Sequence, residues 1–174
     1  MEIDLDLFER KIFSQNGEDG ITMKLVDTIY SGDNENKFYV EFGVEDGKEC
    51  NTRILREMYK WNGLQMDGSN ENDVINLKKE YITKENVVEL FEKYNVPRNI
   101  NVLSIDIDFN DFYCLKEILK NYKCVFLPLL LARYTEQFVK QKIDPNWSNK
   151  NRIFNFNSTT HNIYSFRNNI SKYF

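Results

Sequence analysis

The chain has 174 residues, a net charge of −4, 41% hydrophobic residues and 29% charged ones. That length and balance predict a single soluble domain with a sizeable core, and they exclude a global basic footprint for nucleic acid. Three cysteines without a C-x-x-C pair and one histidine, His161, argue for reduced thiols in a cytoplasmic protein and against a zinc site.

The N-terminal MEIDLDLFERK is acidic and lacks the apolar core of a secretory signal. No stretch reaches the roughly 18 apolar residues of a membrane-spanning helix, so no membrane partner is expected. Residues 1–13 read as a lead-in helix, with Leu5, Leu7, Phe8 and Ile12 for packing. Ser14 to Gly20 is a polar, glycine-punctuated turn. It could be a lid using Gln15 and Glu18, or a helix start capped by Ser14 or Asn16. Ile21 to Tyr30 has a helical apolar face of Ile21, Leu25, Val26 and Ile29.

The run FYVEFGVEDGKECN, Phe38 to Asn51, is the centre of the chain. A short apolar strand passes Glu41 and runs into a turn with Gly43 and Gly47 four residues apart. Strand, glycine turn and helix together make a nucleotide-sized site. The spacing is neither the Gly-x-Gly-x-x-Gly fingerprint nor a P-loop. Glu41, Glu45, Asp46 and Glu49 would repel a polyphosphate, and they suit a ligand with a cationic end and ribose hydroxyls, such as S-adenosylmethionine. Thr52 to Tyr59 reads as a helix.

Trp61 to Ser69 reads as a turn and a second strand ending in Asp67, with Gly68 beside it. A carboxylate there either accepts both ribose hydroxyls of a nucleoside or opens a turn. Asn72 to Tyr81 looks helical, and Ile82 to Leu90 is ambiguous. Asn101 to Ile107 is a third strand, ending in the cluster Asp106, Asp108 and Asp111. Strand alternation sends Asp106 and Asp108 to one face. They could hold Mg²⁺ or Mn²⁺ or act as a general base, or else hydrogen-bond and cap the next helix. Phe112 to Asn121 is helical, and Cys124 to Leu131 is a further strand. Beyond residue 132 no steady period is visible.

Strands alternating with helices predict an α/β domain with a mostly parallel sheet covered on both faces. The series SQNGEDGI, FYVEFGVEDGKECNTR, WNGLQMDGS, ITKENV and LSIDIDFNDFY resembles the FkbM-like class I S-adenosylmethionine-dependent methyltransferases over about Ser14 to Tyr122. The resemblance implies a Rossmann-like methyltransferase fold and O-methylation of a sugar, a nucleotide sugar or a related small metabolite. It also implies that Glu41, Gly43 and Gly47 form the cofactor loop and that Asp67 holds the ribose. Gln15 and Glu18 would lie near the cofactor, and Asp106, Asp108 and Asp111 at the reaction centre.

On that reading residues 1–30 form a helical lead-in and lid, 38–131 the cofactor-binding core, and 132–174 a divergent tail of one domain. Family members continue with a strand ending in Glu-Tyr-Asn and a later two-stranded hairpin. This chain has CVFLPLLLARY instead, with Arg133-Tyr134 in place of the carboxylate. The last strands are therefore expected to be missing or remodelled. The alternative function is a catalytically inactive methyltransferase-like binding or assembly protein. A bare last strand would be covered by residues 140–174 folding back, or by a second chain in a homodimer.

Overall fold

Strands and helices alternate along the described residues, 2–3, 5–31, 35–107, 110–126 and 154–155, of a computed structural model of the chain. In order they are β1 (Glu2–Ile3), α1 (Glu18–Ile29), β2 (Phe38–Phe42), α2 (Arg53–Glu57), β3 (Asn62–Asp67), β4 (Leu77–Lys79), α3 (Val87–Lys93), β5 (Asn99–Ile105), α4 (Asp111–Asn121), β6 (Lys123–Phe126) and β7 (Phe154–Asn155). Five of the strands form one all-parallel sheet in the order β4-β3-β2-β5-β6.

A parallel sheet must be covered on both faces; one face of β2, β3 and β5 is apolar, and the other adds the buried polar Glu41, Gln65 and Ser104 to Tyr39 and Val102. On one face Val40, Phe42, Leu64, Met66, Leu103 and Ile105 pack against Val87 and Phe91 of α3 and Leu115 and Ile118 of α4. On the other, Tyr39 and Val102 pack against Val26 of α1 and Ile54 and Leu55 of α2. The Tyr39 ring fills the space where Gly63 lacks a side chain; a Cβ at Gly63 would stand 2.2 Å from it. Phe91 links the core across α3, with ring centroids 5.8 Å from Phe42 and 5.0 Å from Tyr122. The result is an α/β architecture compatible with a Rossmann-like fold.

Strand order reverses at β2. The chain steps outward from β2 to β3 and β4, then returns to β5 on the other side of β2. Such a switch point opens a crevice at the carboxyl ends of the two diverging strands.

Several sequence expectations change here. Residues 1–13 are not a helix: β1 and a 3-10 turn, Leu5–Phe8, stand there. α1 starts at Glu18, earlier than expected, and the N-cap position is Gly17 rather than Ser14 or Asn16; Ser14 Oγ nevertheless accepts from the first-turn amide of Asp19 at 3.2 Å. Asn72 to Tyr81 is not a helix either. A 3-10 turn, Asp73–Ile75, ends at Asn76 in the left-handed region (φ 53°), and β4 then pairs with Gln65–Asp67. Burial of Leu77 against Val44 and Cys50 of the loop after β2 outweighs the helical spacing. In the ambiguous run after it, α3 begins only at Val87.

β5 ends at Ile105, so Asp106 is the first residue beyond the strand and strand alternation no longer governs where it faces. Asp108 lies outside the described residues, as does the run 127–131 expected to prolong β6. From the tail, β7 pairs antiparallel with β1, apart from the main sheet. The rest of the tail expectation also lies outside the described residues.

Candidate functional site

A cleft of about 520 Å³ opens at the carboxyl ends of β2, β3, β4 and β5. Its wall comes from the loops that follow those strands and from the turn before α1. The loop after β2 starts with Gly43 at φ 70°, donating its N–H to Met66 O at 3.0 Å. A Cβ on Gly43 would lie 1.7 Å from the Asp106 carbonyl oxygen. Glycine is required here so that the ends of β2 and β5 can approach each other.

Glu41 sits under this loop and is 2% exposed. Its Oε1 accepts from Asn51 N (3.0 Å) and Ser104 Oγ (3.2 Å), and its Oε2 from Thr52 N (2.9 Å) and Thr52 Oγ1 (2.6 Å). Four donors fill the four acceptor positions of the carboxylate. Glu41 thus fastens the entry to α2 onto β2 and β5. Beside it Gln65 donates to Cys50 Sγ (3.1 Å) and accepts from Arg56 Nη1 (2.7 Å). Burial, reinforced by the Glu41 charge, pushes the Cys50 thiol up to about 12, which keeps it a neutral packing group.

Asp67 closes the second loop. Its Oδ1 accepts from Ser69 N (2.8 Å), Asn70 N (3.1 Å) and Asn70 Nδ2 (3.1 Å), and its Oδ2 accepts from Glu45 N at 3.0 Å. Oδ1 is fully used, while Oδ2 retains an acceptor position. Asp67 therefore ties the β2 loop to the β3 loop. It also receives the Glu80 amide at its backbone carbonyl, 2.9 Å away.

The chain matches no family model, no curated protein and no solved structure.

Of the residues expected from sequence, the cleft brings together Gln15, Glu18, Glu41, Gly43, Asp67, Gly68 and Asp106. Gly47 is not in its wall. It sits at φ 74° against Ile75, whose Cδ1 would be 2.5 Å from an added Cβ. Asp111 is also outside the wall. It is the first residue of α4, whose N-cap is Asn110 without a side-chain cap; its Oδ1 accepts from Ile107 N at 2.9 Å and braces the loop before the helix, so the capping role weighed for it above is not what it does. Among the described residues no group of three or more His, Cys, Asp or Glu side chains is placed to hold a metal ion, and no helix is long and apolar enough to cross a membrane.

Sequence reasoning missed Glu80, Tyr81, Ile82 and Asn110, all of which line the cleft. Glu80 accepts from Lys93 Nζ (2.6 Å) and from the Tyr94 hydroxyl, and the two hold its carboxyl below the ordinary carboxylate range. Tyr81 is 77% exposed on the rim, and its Cδ2 lies 3.9 Å from the Cβ position of Gly68. Reading 72–81 as a helix hid Glu80 and Tyr81. Had Leu77–Lys79 been read as a strand, the rule that ligands gather at carboxyl ends would have pointed to Glu80.

The segment before α1 is built on Asp19. Its Oδ2 accepts from Ile12 N, Phe13 N, Ser14 N and Ser14 Oγ at 2.6–2.8 Å, while Oδ1 is buried without a partner. This holds Gln15, Asn16 and Glu18 beside the cleft.

Proposed function

We propose that the chain is an S-adenosylmethionine-dependent O-methyltransferase acting on a hydroxyl of a sugar or related small metabolite. The observation that carries the reading is the acidic cleft at the switch point of a parallel sheet, with Gly43 on one side and Asp67 on the other. The donor set fits that cofactor. Carboxylates suit its ammonium and sulfonium, Asp67 Oδ2 suits a ribose hydroxyl, and the exposed Tyr81 ring suits a planar base. When bound, the cofactor supplies an electrophilic methyl group.

The protein's own work in this reading is alignment and proton transfer. Glu41 and Asp67 hold the two loops in register, so that the wall is formed before ligand arrives. Asp106, in the cleft wall just beyond β5, is the described carboxylate proposed as general base toward the acceptor hydroxyl. A divalent cation enters the proposal only through Asp106 with Asp108, and Asp108 lies outside the described residues.

Calorimetric titration with S-adenosylmethionine, S-adenosylhomocysteine and NAD tests the reading. Binding of the first two without the third is expected. NAD binding with neither of the others would overturn it. Asp67→Asn is isosteric but turns one accepting oxygen into an NH2 that faces the Glu45 amide, so it should weaken S-adenosylhomocysteine by at least about 1.5–3 kcal/mol, the loss of one charge-assisted bond. Unchanged affinity would remove Asp67 from the site.

A further inference from the structure

Five backbone amides in the loops at this end of the sheet, where a phosphate would seek donors, are already occupied. In phosphate-binding α/β folds the first strand turns through glycine into a helix, and the helix's N-terminal amides bind the anion. Here Glu41 accepts from the amides of Asn51 and Thr52 at the entry to α2. Asp67 likewise accepts from the amides of Glu45, Ser69 and Asn70. The protein's own carboxylates stand where a ligand's phosphate would otherwise find donors.

The charge of the wall has the same sense. Among the described residues, seven of the eighteen that line it are acidic and none is Lys or Arg. Two neighbouring cations are directed elsewhere: Arg53 donates to Lys48 O, and Arg56 to Gln65 and Gly47 O, while Lys93 pairs with Glu80 of the wall and offsets that one charge. Glu45 and Glu49 are exposed on the rim and make no ion pair among the described residues. Any phosphate entering would meet the negative charge of Glu45 and Glu49, and the amides of Glu45, Asn51, Thr52, Ser69 and Asn70 are already taken.

We propose that this cleft rejects phosphorylated and other anionic acceptors, so that the hydroxyl it serves belongs to an uncharged or cationic compound, with Glu41 as the internal anion in the phosphate position. Of the substrate classes considered above, this removes nucleotide sugars and keeps free or glycosidically linked sugars. The word acceptor rests on the methyl-transfer reading; the charge preference does not.

The test is amide relaxation NMR on the full chain with two nitroxide cosolutes of equal size, aminomethyl-PROXYL (cationic) and carboxy-PROXYL (anionic). Amides of 44–51 and 68–70 should relax more strongly beside the cation, on the order of 7-fold for a local potential of one kT per charge. The ratio should fall in a Glu45→Gln/Glu49→Gln variant, whose replaced side chains make no bond the fold uses. Residues 127–174 contain seven Lys or Arg against two Asp or Glu, so the opposite result is physically open. A ratio of one or below overturns the proposal.

Saturation-transfer NMR in the presence of S-adenosylhomocysteine adds a second arm. A stronger signal for glucose 1-phosphate than for methyl glucoside overturns the proposal, and no signal for the phosphate ester is the expected result. S-adenosylhomocysteine calorimetry is separate from both arms. If it shows no binding beside a cation-preferring cleft, methyl transfer fails and the charge preference stands. Binding with a reversed ratio does the converse.

Discussion

At the residue scale, the cleft depends on groups that never need to touch a ligand. Glu41→Ala would strand four donors around a buried space and should destabilise the fold by about 3 kcal/mol, read from urea denaturation. A loss under about 0.5 kcal/mol would mean water replaces the carboxylate without cost. Gly43→Ala is worse placed than Gly47→Ala. The first drives a Cβ into the Asp106 backbone carbonyl, whereas the second meets only the movable end of Ile75. Both positions have positive φ, so the shared strain is about 1–3 kcal/mol and the difference between the two variants isolates the clash. Equal losses would show that β5 moves aside.

Titration acts at the same scale. Burial raises Cys50 from 9.0 to about 12, Cys114 from 9.0 to about 11 and Tyr39 from 10.0 to about 12. A raised pKa on a group that is neutral when protonated contributes stability that is complete below the unfolded value. It is lost as pH climbs toward the folded one. Urea midpoints should therefore hold steady up to pH 9 and fall from there toward pH 12. In a Cys50→Ala/Cys114→Ala variant the onset should move toward pH 10, where Tyr39 begins to matter. A flat profile to pH 11 would show that these groups are not buried as described.

At the scale of elements, the stretch before α1 shows how one side chain replaces a regular structure. Asp19 gathers the amides of Ile12, Phe13 and Ser14, so the chain needs no lead-in helix there. Asp19→Ala should speed hydrogen exchange at those three amides by at least about tenfold, one lost bond of roughly 1.4 kcal/mol each, while α4 keeps its protection. Uniform acceleration across the chain would instead make Asp19 a global stabiliser. The α3 layer is the opposite case, governed by area. Phe91 is fully buried between Phe42 and Tyr122, and Phe91→Ala should cost about 3–5 kcal/mol.

At the scale of the whole molecule, the cleft has contributions from the ends of four strands and from the turn before α1, so ligand binding couples the layers. A saturating ligand at 100 times its Kd should raise stability by about 2.7 kcal/mol. S-adenosylhomocysteine should produce that shift in thermal unfolding and NAD should not. A ligand-dependent shift that survives Asp67→Asn in full would place the binding elsewhere.

The central strand, its glycine turn and the strand ending at Asp67 were legible from the sequence. Their signals are local: an apolar run, a residue that tolerates positive φ, and a carboxylate beside it. α4 was legible for the same reason, since its apolar period lies within one segment. What the sequence could not supply was pairing. Leu77–Lys79 has the spacing of a helix, and only a free edge on β3 makes it a strand and carries Glu80 and Tyr81 to the cleft. Nor could spacing reveal that Glu41 would be enclosed by Asn51, Thr52 and Ser104, the last of them 63 residues away. The one-dimensional pattern determined which segments can bury a face and where the chain must bend. The tertiary structure decided which buried carboxylates find donors, because that depends on neighbours brought together only by sheet order.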